Sequence, residues 1–209
     1  MNLGLGEAKK KMPLEDYQKK RNFDSTPELK AENVSNGESS LVEATPTKSK
    51  DMLKFVVQKH FASRLHFDLR LELDGVLKSW AVPKGPSVNP KDKKLAVMVE
   101  DHPFEYKDFE GTIPEGNYGA GKVYIWDYGT YHALGADDKQ QSSRILREGL
   151  EKGHITFILN GEKLKGEFAL IRLKKASPKA WLLIKKNDEF AAEIDISAIE
   201  APGEAADQK

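Results

Sequence analysis

The chain contains no cysteine. That absence removes disulfides, thiolate nucleophiles and cysteine-based zinc sites, and leaves histidine and carboxylates as metal ligands. Nor does it carry an excess of charge of either sign, since 33 Lys and Arg balance 33 Asp and Glu. Net charge therefore selects neither for nor against a nucleic-acid partner; only a local basic patch could. No apolar run approaches the ~18 residues of a membrane span, and the N-terminus has no apolar signal region. The chain reads as soluble and cytoplasmic, with no membrane association.

The 209 residues suit one domain with tails. Residues 1–16 are polar and lysine-rich and read as a flexible N-terminal tail or short helix. Residues 17–28 carry a basic cluster (Lys19, Lys20, Arg21) and a Thr-Pro turn signal. Residues 29–51 hold almost no large apolar side chains, so they cannot bury enough surface to order themselves and read as a flexible linker. The packed domain covers 52–198, and 199–209 read as a polar C-terminal tail. Within the domain, short apolar segments recur about every ten residues, which suggests a β-barrel or sandwich. Asp74-Gly75 and Asn160-Gly161 are two-residue hairpin signals, and Ser142 to Gly153 reads as a short helix.

One stretch stands apart. In QKHFASRLHFDLRLE, residues 58–72, Phe61, Leu65, Phe67, Leu69 and Leu71 occupy odd positions, while His60, Arg64, His66, Asp68, Arg70 and Glu72 occupy even ones. Period two predicts a strand with one apolar and one polar face. His66 and Asp68 project from one face about 7 Å apart along the strand. His60 precedes the strand proper and can swing in. Two imidazoles and a carboxylate suit a divalent cation, with oxygen in the donor set leaning towards Mn²⁺ and Zn²⁺ as the alternative. The competing reading is a hydrogen-bonded polar strand face. The guanidinium of Arg70 can take two phosphate oxygens, or pair with Asp68 or Glu72.

Four further features carry more than one reading each. His102, in EDHP, suits a general acid or a phosphate donor, or is a turn histidine. Tyr106 either hydrogen-bonds in the same site or packs as an aromatic. The loop GTIPEGNYGAG, residues 111–121, could cradle phosphate, but no Gly-Lys-Ser/Thr follows it, and a structural turn is the plainer reading. Arg21 could reach nucleic-acid phosphates, fold back on the site, or lie in a solvated patch. His132 and His154 read as structural.

The runs FVVQKHFASRLHFDLRLE, WAVPKGPS, VEDHPFEY and FEGTIPEGNYGAGKVYIWD closely resemble the DNA 3′-phosphoesterase module of bacterial ligase D end-joining enzymes and its stand-alone relatives, over about residues 17 to 185. The resemblance implies a mainly β fold, a compact closed or nearly closed β-barrel with a few short flanking helices and disordered tails. It implies Mn²⁺-dependent healing of DNA 3′ ends, with Zn²⁺ or Co²⁺ as alternative metals. A phosphodiesterase step removes a terminal ribonucleoside from a primer strand, and a phosphomonoesterase step removes the remaining 3′-phosphate. By resemblance His60, His66 and Asp68 are the metal ligands, Arg70 and His102 contact phosphate, and Tyr106 belongs to the active site. RNFDSTPE resembles the family's N-terminal motif, which carries over Arg21 and Glu28 and makes 17–28 an active-site segment. Asn22 stands where the family has Asp, which bears chiefly on the diesterase step. Lys94 stands at a phosphate-binding position where some relatives have Arg, and would make a weaker contact.

The implied partners are primer–template 3′ ends, with a separate DNA ligase, polymerase or primase, and Ku; the chain itself is expected to be a monomer. Two other functions compete. Leu73-Asp74-Gly75 echoes a ligase nucleophile motif, but Glu72 replaces the lysine that such chemistry requires. A non-catalytic DNA-end-binding scaffold would bind ends without metal-dependent turnover.

Overall fold

The computed structural model describes residues 14–30 and 52–204. Most of the predicted N-terminal tail (1–13), most of the linker (31–51) and the last five residues of the predicted C-terminal tail lie outside the described residues. The elements are α1 (Glu15–Lys19), β1 (Leu53–Phe61), β2 (Leu65–Leu73), β3 (Val76–Val82), β4 (Lys94–Met98), β5 (His102–Pro103), β6 (Gly111–Ile113), β7 (Gly121–Ala133), α2 (Lys139–Lys152), β8 (His154–Gly161), β9 (Lys165–Arg172) and β10 (Ala180–Lys185). Neighbouring strands run in the order β1-β2-β3-β4-β10-β9-β8-β7, and β7 pairs back onto β1. All these pairings are antiparallel, so the fold is a closed eight-stranded antiparallel β-barrel, mainly β as the resemblance implies. Among the described residues, no helix is long and apolar enough to cross a membrane.

The stretch 58–72 is two strands, not one. Ala62, Ser63 and Arg64 form the link, and His60 stands directly opposite His66 in the β1–β2 register. The link has three residues, so odd and even positions keep their faces across it, and the alternation runs on in the sequence as though no turn were there. No Gly, Pro or Asn marks it. His60 therefore does not swing in; the ladder fixes it.

Parity sorts the side chains of β1 and β2. Leu53, Phe55, Val57, Phe67, Leu69, Leu71 and Leu73 join the main core with Trp80, Trp126, Trp181, Phe157 and Phe168. The three tryptophans are almost wholly buried. Each removes roughly 150–250 Å² from water, which makes them major contributors to the core. The even face points away from that core, yet Gln58, Asp68, Arg70 and Glu72 are buried too. A second apolar cluster lies outside the barrel wall: Tyr17 of α1, Leu77, Tyr106, Phe109, Ile113 and Val123. The polar face is thus roofed rather than solvated. A β-bulge between Val57 and Gln58 in the β1–β7 pairing re-aims the strand where that roof begins.

Two turns illustrate the limits of turn chemistry. Asp74 (φ 53°) and Gly75 (φ 78°) make the expected two-residue hairpin turn. At Asn160-Gly161 the turn is displaced: Gly161 closes β8, its N–H donates to Leu164 O at 3.0 Å, and Glu162-Lys163 form the tip. The Asp127 carboxylate holds that tip, accepting from the N–H groups of Glu162, Lys163 and Leu164. Gly161 is needed for close approach, since a Cβ there would lie 2.6 Å from the Asp127 carboxylate.

Helix α2 starts at Lys139 rather than Ser142, because the Asp138 side chain caps it by accepting from Gln141 N–H at 2.8 Å. It ends on left-handed Gly153, φ 79°. The described part of the predicted C-terminal tail, 199–204, lies against the barrel. Ala201 is buried in the main core, and Glu204 forms a buried ion pair with Lys59 at 2.8 Å.

Candidate metal and phosphate site

His60, His66 and Asp68 each present one ligand atom, and these atoms lie within 4.8 Å of one another. Backbone carbonyls orient both imidazoles. His60 Nε2 is 2.9 Å from Gly119 O, and His66 Nδ1 is 3.0 Å from Arg64 O. A carbonyl only accepts, so each of these nitrogens carries the proton, and the lone pairs of His60 Nδ1 and His66 Nε2 face Asp68, each at 3.7 Å. Fixing the tautomer by the far nitrogen is how proteins prepare histidine ligands. Burial by itself would raise the Asp68 carboxyl, but the Arg70 guanidinium beside it outweighs that and holds the group below the usual carboxylate range. An ionised carboxylate and two directed lone pairs fit a divalent cation.

Arg70 lies beside this triad and is held from three sides. Nε donates to Gln58 Oε1 at 2.6 Å, Nη1 to Ser79 Oγ at 3.0 Å and Nη2 to Asp68 Oδ2 at 3.1 Å. The predicted structural pair with Asp68 exists, and two of the five guanidinium N–H donors remain for a ligand. Gln58 is itself fixed, its amide donating to Tyr106 O and Phe109 O.

The N-terminal segment supplies the opposite wall. Arg21 folds onto the site. Nε donates to Glu28 Oε1 at 2.7 Å and Nη1 to Glu100 Oε1 at 3.1 Å, while Nη2 lies 3.1 Å from His102 Nε2. Tyr106 OH donates to the same Glu28 oxygen at 3.0 Å. His102 Nδ1 is 3.0 Å from Glu100 O, so that nitrogen carries the proton and Nε2 accepts from Arg21. Burial, then the positive charges of Arg70 and Arg21, hold the His102 pKa well below the ordinary imidazole value. Burial would raise Glu100, but Lys20 and Arg21 keep it below the usual range.

Arg21, Glu28, His60, His66, Asp68, Arg70, His102 and Tyr106 all line one cleft of about 230 Å³. Lys94 does not join them. It lies on β4, with its ammonium 3.3 Å from Asp92. Asn22 is exposed, outside the cleft lining, and its side-chain oxygen accepts from Asp24 N–H at 3.3 Å. The Gly-rich loop makes a tight turn whose Gly119 carbonyl holds His60. Reading the sequence missed Gln58, Ser79 and Glu100. Gln58 and Glu100 each stand two residues before a site histidine, His60 and His102, a spacing that could have flagged them.

The cleft's charge bears on what it can hold. Its lining carries two guanidiniums and three carboxylates (Asp68, Glu28 and Glu100), and the Lys20 ammonium lies 2.9 Å from Glu100, so these fixed charges cancel. A divalent cation would make the cleft positive towards a phosphate.

Donors that could hold a divalent cation thus lie beside a guanidinium with free N–H groups, on the outer wall of a closed β-barrel. A family model, the DNA Ligase D 3′-phosphoesterase domain, matches residues 58–172, and the chain belongs to that family. The chain is 50% identical over 184 residues to the "Multifunctional non-homologous end joining protein LigD" of Pseudomonas aeruginosa, covering 88% of this chain and 20% of that protein. It is 45% identical over 136 residues to the protein of the same name from Mycolicibacterium smegmatis, covering 65% of this chain and 17% of the relative. To the "Multifunctional non-homologous end joining DNA repair protein LigD" of Mycobacterium tuberculosis it is 43% identical over 141 residues, covering 68% and 17%. The chain thus spans no more than about a fifth of the length of these relatives.

Proposed function

We propose that this protein is a metal-dependent DNA 3′-end-healing phosphoesterase, acting first as a phosphodiesterase on a terminal ribonucleoside and then as a phosphomonoesterase on the remaining 3′-phosphate. The carrying observation is the pair of tautomer-fixed imidazoles facing Asp68, with Arg70 at 3.1 Å from the same carboxylate. His60, His66 and Asp68 would hold the ion, with Mn²⁺ first and Zn²⁺ or Co²⁺ as alternatives. Bound there, a divalent ion would supply Lewis-acid polarisation of a phosphoryl oxygen and a more acidic attacking water.

The protein's own groups do the rest. The two free N–H donors of Arg70 hold phosphoryl oxygens and offset charge that grows on them in the transition state. In the diesterase step water attacks phosphorus and the bond to the 5′-oxygen of the terminal ribonucleoside breaks, leaving a 3′-phosphate. In the monoesterase step water attacks again and the bond to the 3′-oxygen breaks, releasing inorganic phosphate and a 3′-hydroxyl. In each step a proton lost by the attacking water ends on the leaving oxygen. His102 rests neutral with Nε2 accepting from Arg21, so its part is to hold Arg21 towards the phosphate rather than to protonate the leaving oxygen. Glu28 and Glu100 keep that guanidinium in place from the other side. The healed ends would pass to a separate DNA ligase and a polymerase or primase, with Ku at the break.

The test uses primer–templates ending in a single 3′-ribonucleotide or in a 3′-phosphate, each with Mn²⁺ or EDTA. The expected product is a 3′-hydroxyl end, with Mn²⁺ only. His66→Ala should abolish both steps and the Mn²⁺-induced rise in melting temperature, while the metal-free melt stays close to wild type. End binding with no turnover in Mn²⁺ would overturn the enzyme reading in favour of a scaffold.

A further inference from the structure

The cleft contains an exposed aromatic that phosphate chemistry does not call for. Tyr118 lines the same cleft as the metal-type triad, yet it is 48% exposed, although most neighbouring aromatics are buried. Its position is set by its neighbours. The next residue, Gly119, gives the carbonyl that orients His60 at 2.9 Å, so the ring stands one residue from the anchor of a candidate metal ligand. Asn117, on its other side, ties the loop to the N-terminal segment: it accepts from Ser25 Oγ at 2.7 Å and donates to Ser25 O at 3.1 Å. Two cations flank the ring, with Lys20 Nζ 4.7 Å and the Arg21 guanidinium 5.6 Å from its centroid. The phenol oxygen accepts from Lys20 at 3.3 Å.

A phosphoryl group needs a cation and donors, and the triad with Arg70 offers both. A rigidly held, half-open aromatic next to them has a different complement, the flat face of a nucleobase, which stacks on aromatic rings whatever its sequence. We propose that Tyr118 is the stacking platform for the base of the 3′-terminal nucleotide whose phosphate enters the cleft. This rests on the phosphoesterase reading and adds to it that the enzyme recognises a nucleotide, not a bare phosphate ester. A base held there would orient the terminal sugar and so aim its 3′-oxygen at the triad.

The experiment is a cycle between residue and base, run with the Mn²⁺-loaded full chain. Wild type, Tyr118→Phe and Tyr118→Leu are assayed for kcat/KM on a primer–template ending in a normal nucleoside 3′-phosphate. The same three are assayed on one ending in a tetrahydrofuran 3′-phosphate, which lacks the base. Wild type should lose about 5- to 150-fold on removal of the base, the range that base–aromatic stacking supplies. Tyr118→Leu should show a similar loss on the intact primer and less than about threefold further loss when the base is removed; Tyr118→Phe should behave as wild type. If Tyr118 only clamps Lys20 and Arg21, the two losses will multiply, and the proposal is overturned. Should the leucine variant fail to fold, judged by its melt and its Mn²⁺ shift, wild-type indifference to the missing base overturns the proposal by itself. No phosphate release from the intact primer by wild type would overturn the phosphoesterase reading, and this one with it.

Discussion

Glutamine at position 28 should release the N-terminal segment from the barrel far more often than glutamate does. The Glu28 carboxylate is fully buried and accepts from Arg21 Nε at 2.7 Å, Tyr106 OH at 3.0 Å and Thr26 Oγ1 at 3.2 Å. Glutamine keeps the volume but turns an N–H₂ towards donors and removes the ion pair. Removing one partner of a buried pair costs roughly 3–5 kcal/mol. Arg21 keeps Glu100 at 3.1 Å, so about 2–3 kcal/mol is a fair share, and at about 1.4 kcal/mol per decade the open population rises roughly 30- to 150-fold. Trypsin reads this directly at the Arg21–Asn22 bond, because the Arg21 side chain is only 4% exposed in the closed state. Where opening and closing outpace cleavage, the rate tracks the open population. Cleavage there should accelerate by that factor while the barrel's melting temperature moves by only a few degrees. Acceleration of less than threefold would show that Glu28 does not hold the segment, and the account of Arg21 as a fixed wall of the cleft would fall.

His102 should leave a signature in stability against pH. Its folded pKa is held well below the ordinary value by burial, Arg70 and Arg21, whereas in the unfolded chain it titrates near ~6.5. Below that pH the unfolded state binds the extra proton, so this contribution is intact at neutral pH and is lost as the pH falls from about 6.5 towards the folded value. His102→Gln should therefore narrow the difference in melting temperature between pH 7.5 and 5.5, and an unchanged difference would refute the neutral assignment. Asn22 is exposed and only caps a local turn, which aspartate would cap as well. Asn22→Asp should thus change both the diesterase and monoesterase rates by less than about twofold, against the expectation that the missing charge weakens the diesterase step. A selective rise in ribonucleoside removal would show that residue 22 meets the substrate directly.

Much of this was legible in the sequence because its signals are local. Alternation along 58–72 separated core from site, Asp74-Gly75 announced its hairpin, and the histidines with Asp68 announced a donor set. What stayed hidden depends on contacts between distant segments. The turn at 62–64 was invisible because an odd link preserves parity. Burial of the polar face could not be read from β1 and β2, since the roof is built from Tyr17, Tyr106 and Phe109, far along the chain. Glu100 and Ser79 look like ordinary surface residues until Arg21 and Arg70 are placed against them. Lys94 was placed by likeness at one position alone, and no contact in the cleft supports it. The docking of 199–204 rests on Glu204 finding Lys59, a pairing across 145 residues.

The shared wall of the barrel has a consequence for how this protein can vary. Most side chains of β1 and β2 serve either the apolar interior or the polar exterior, and parity sorts them. Insertion or deletion of one residue within β1 or β2 would trade one set for the other beyond that point, driving site side chains inward and core side chains out. The two strands can accept changes of residue but not of length, and the tolerance for added or lost residues that loops usually provide stops at either end of this hairpin.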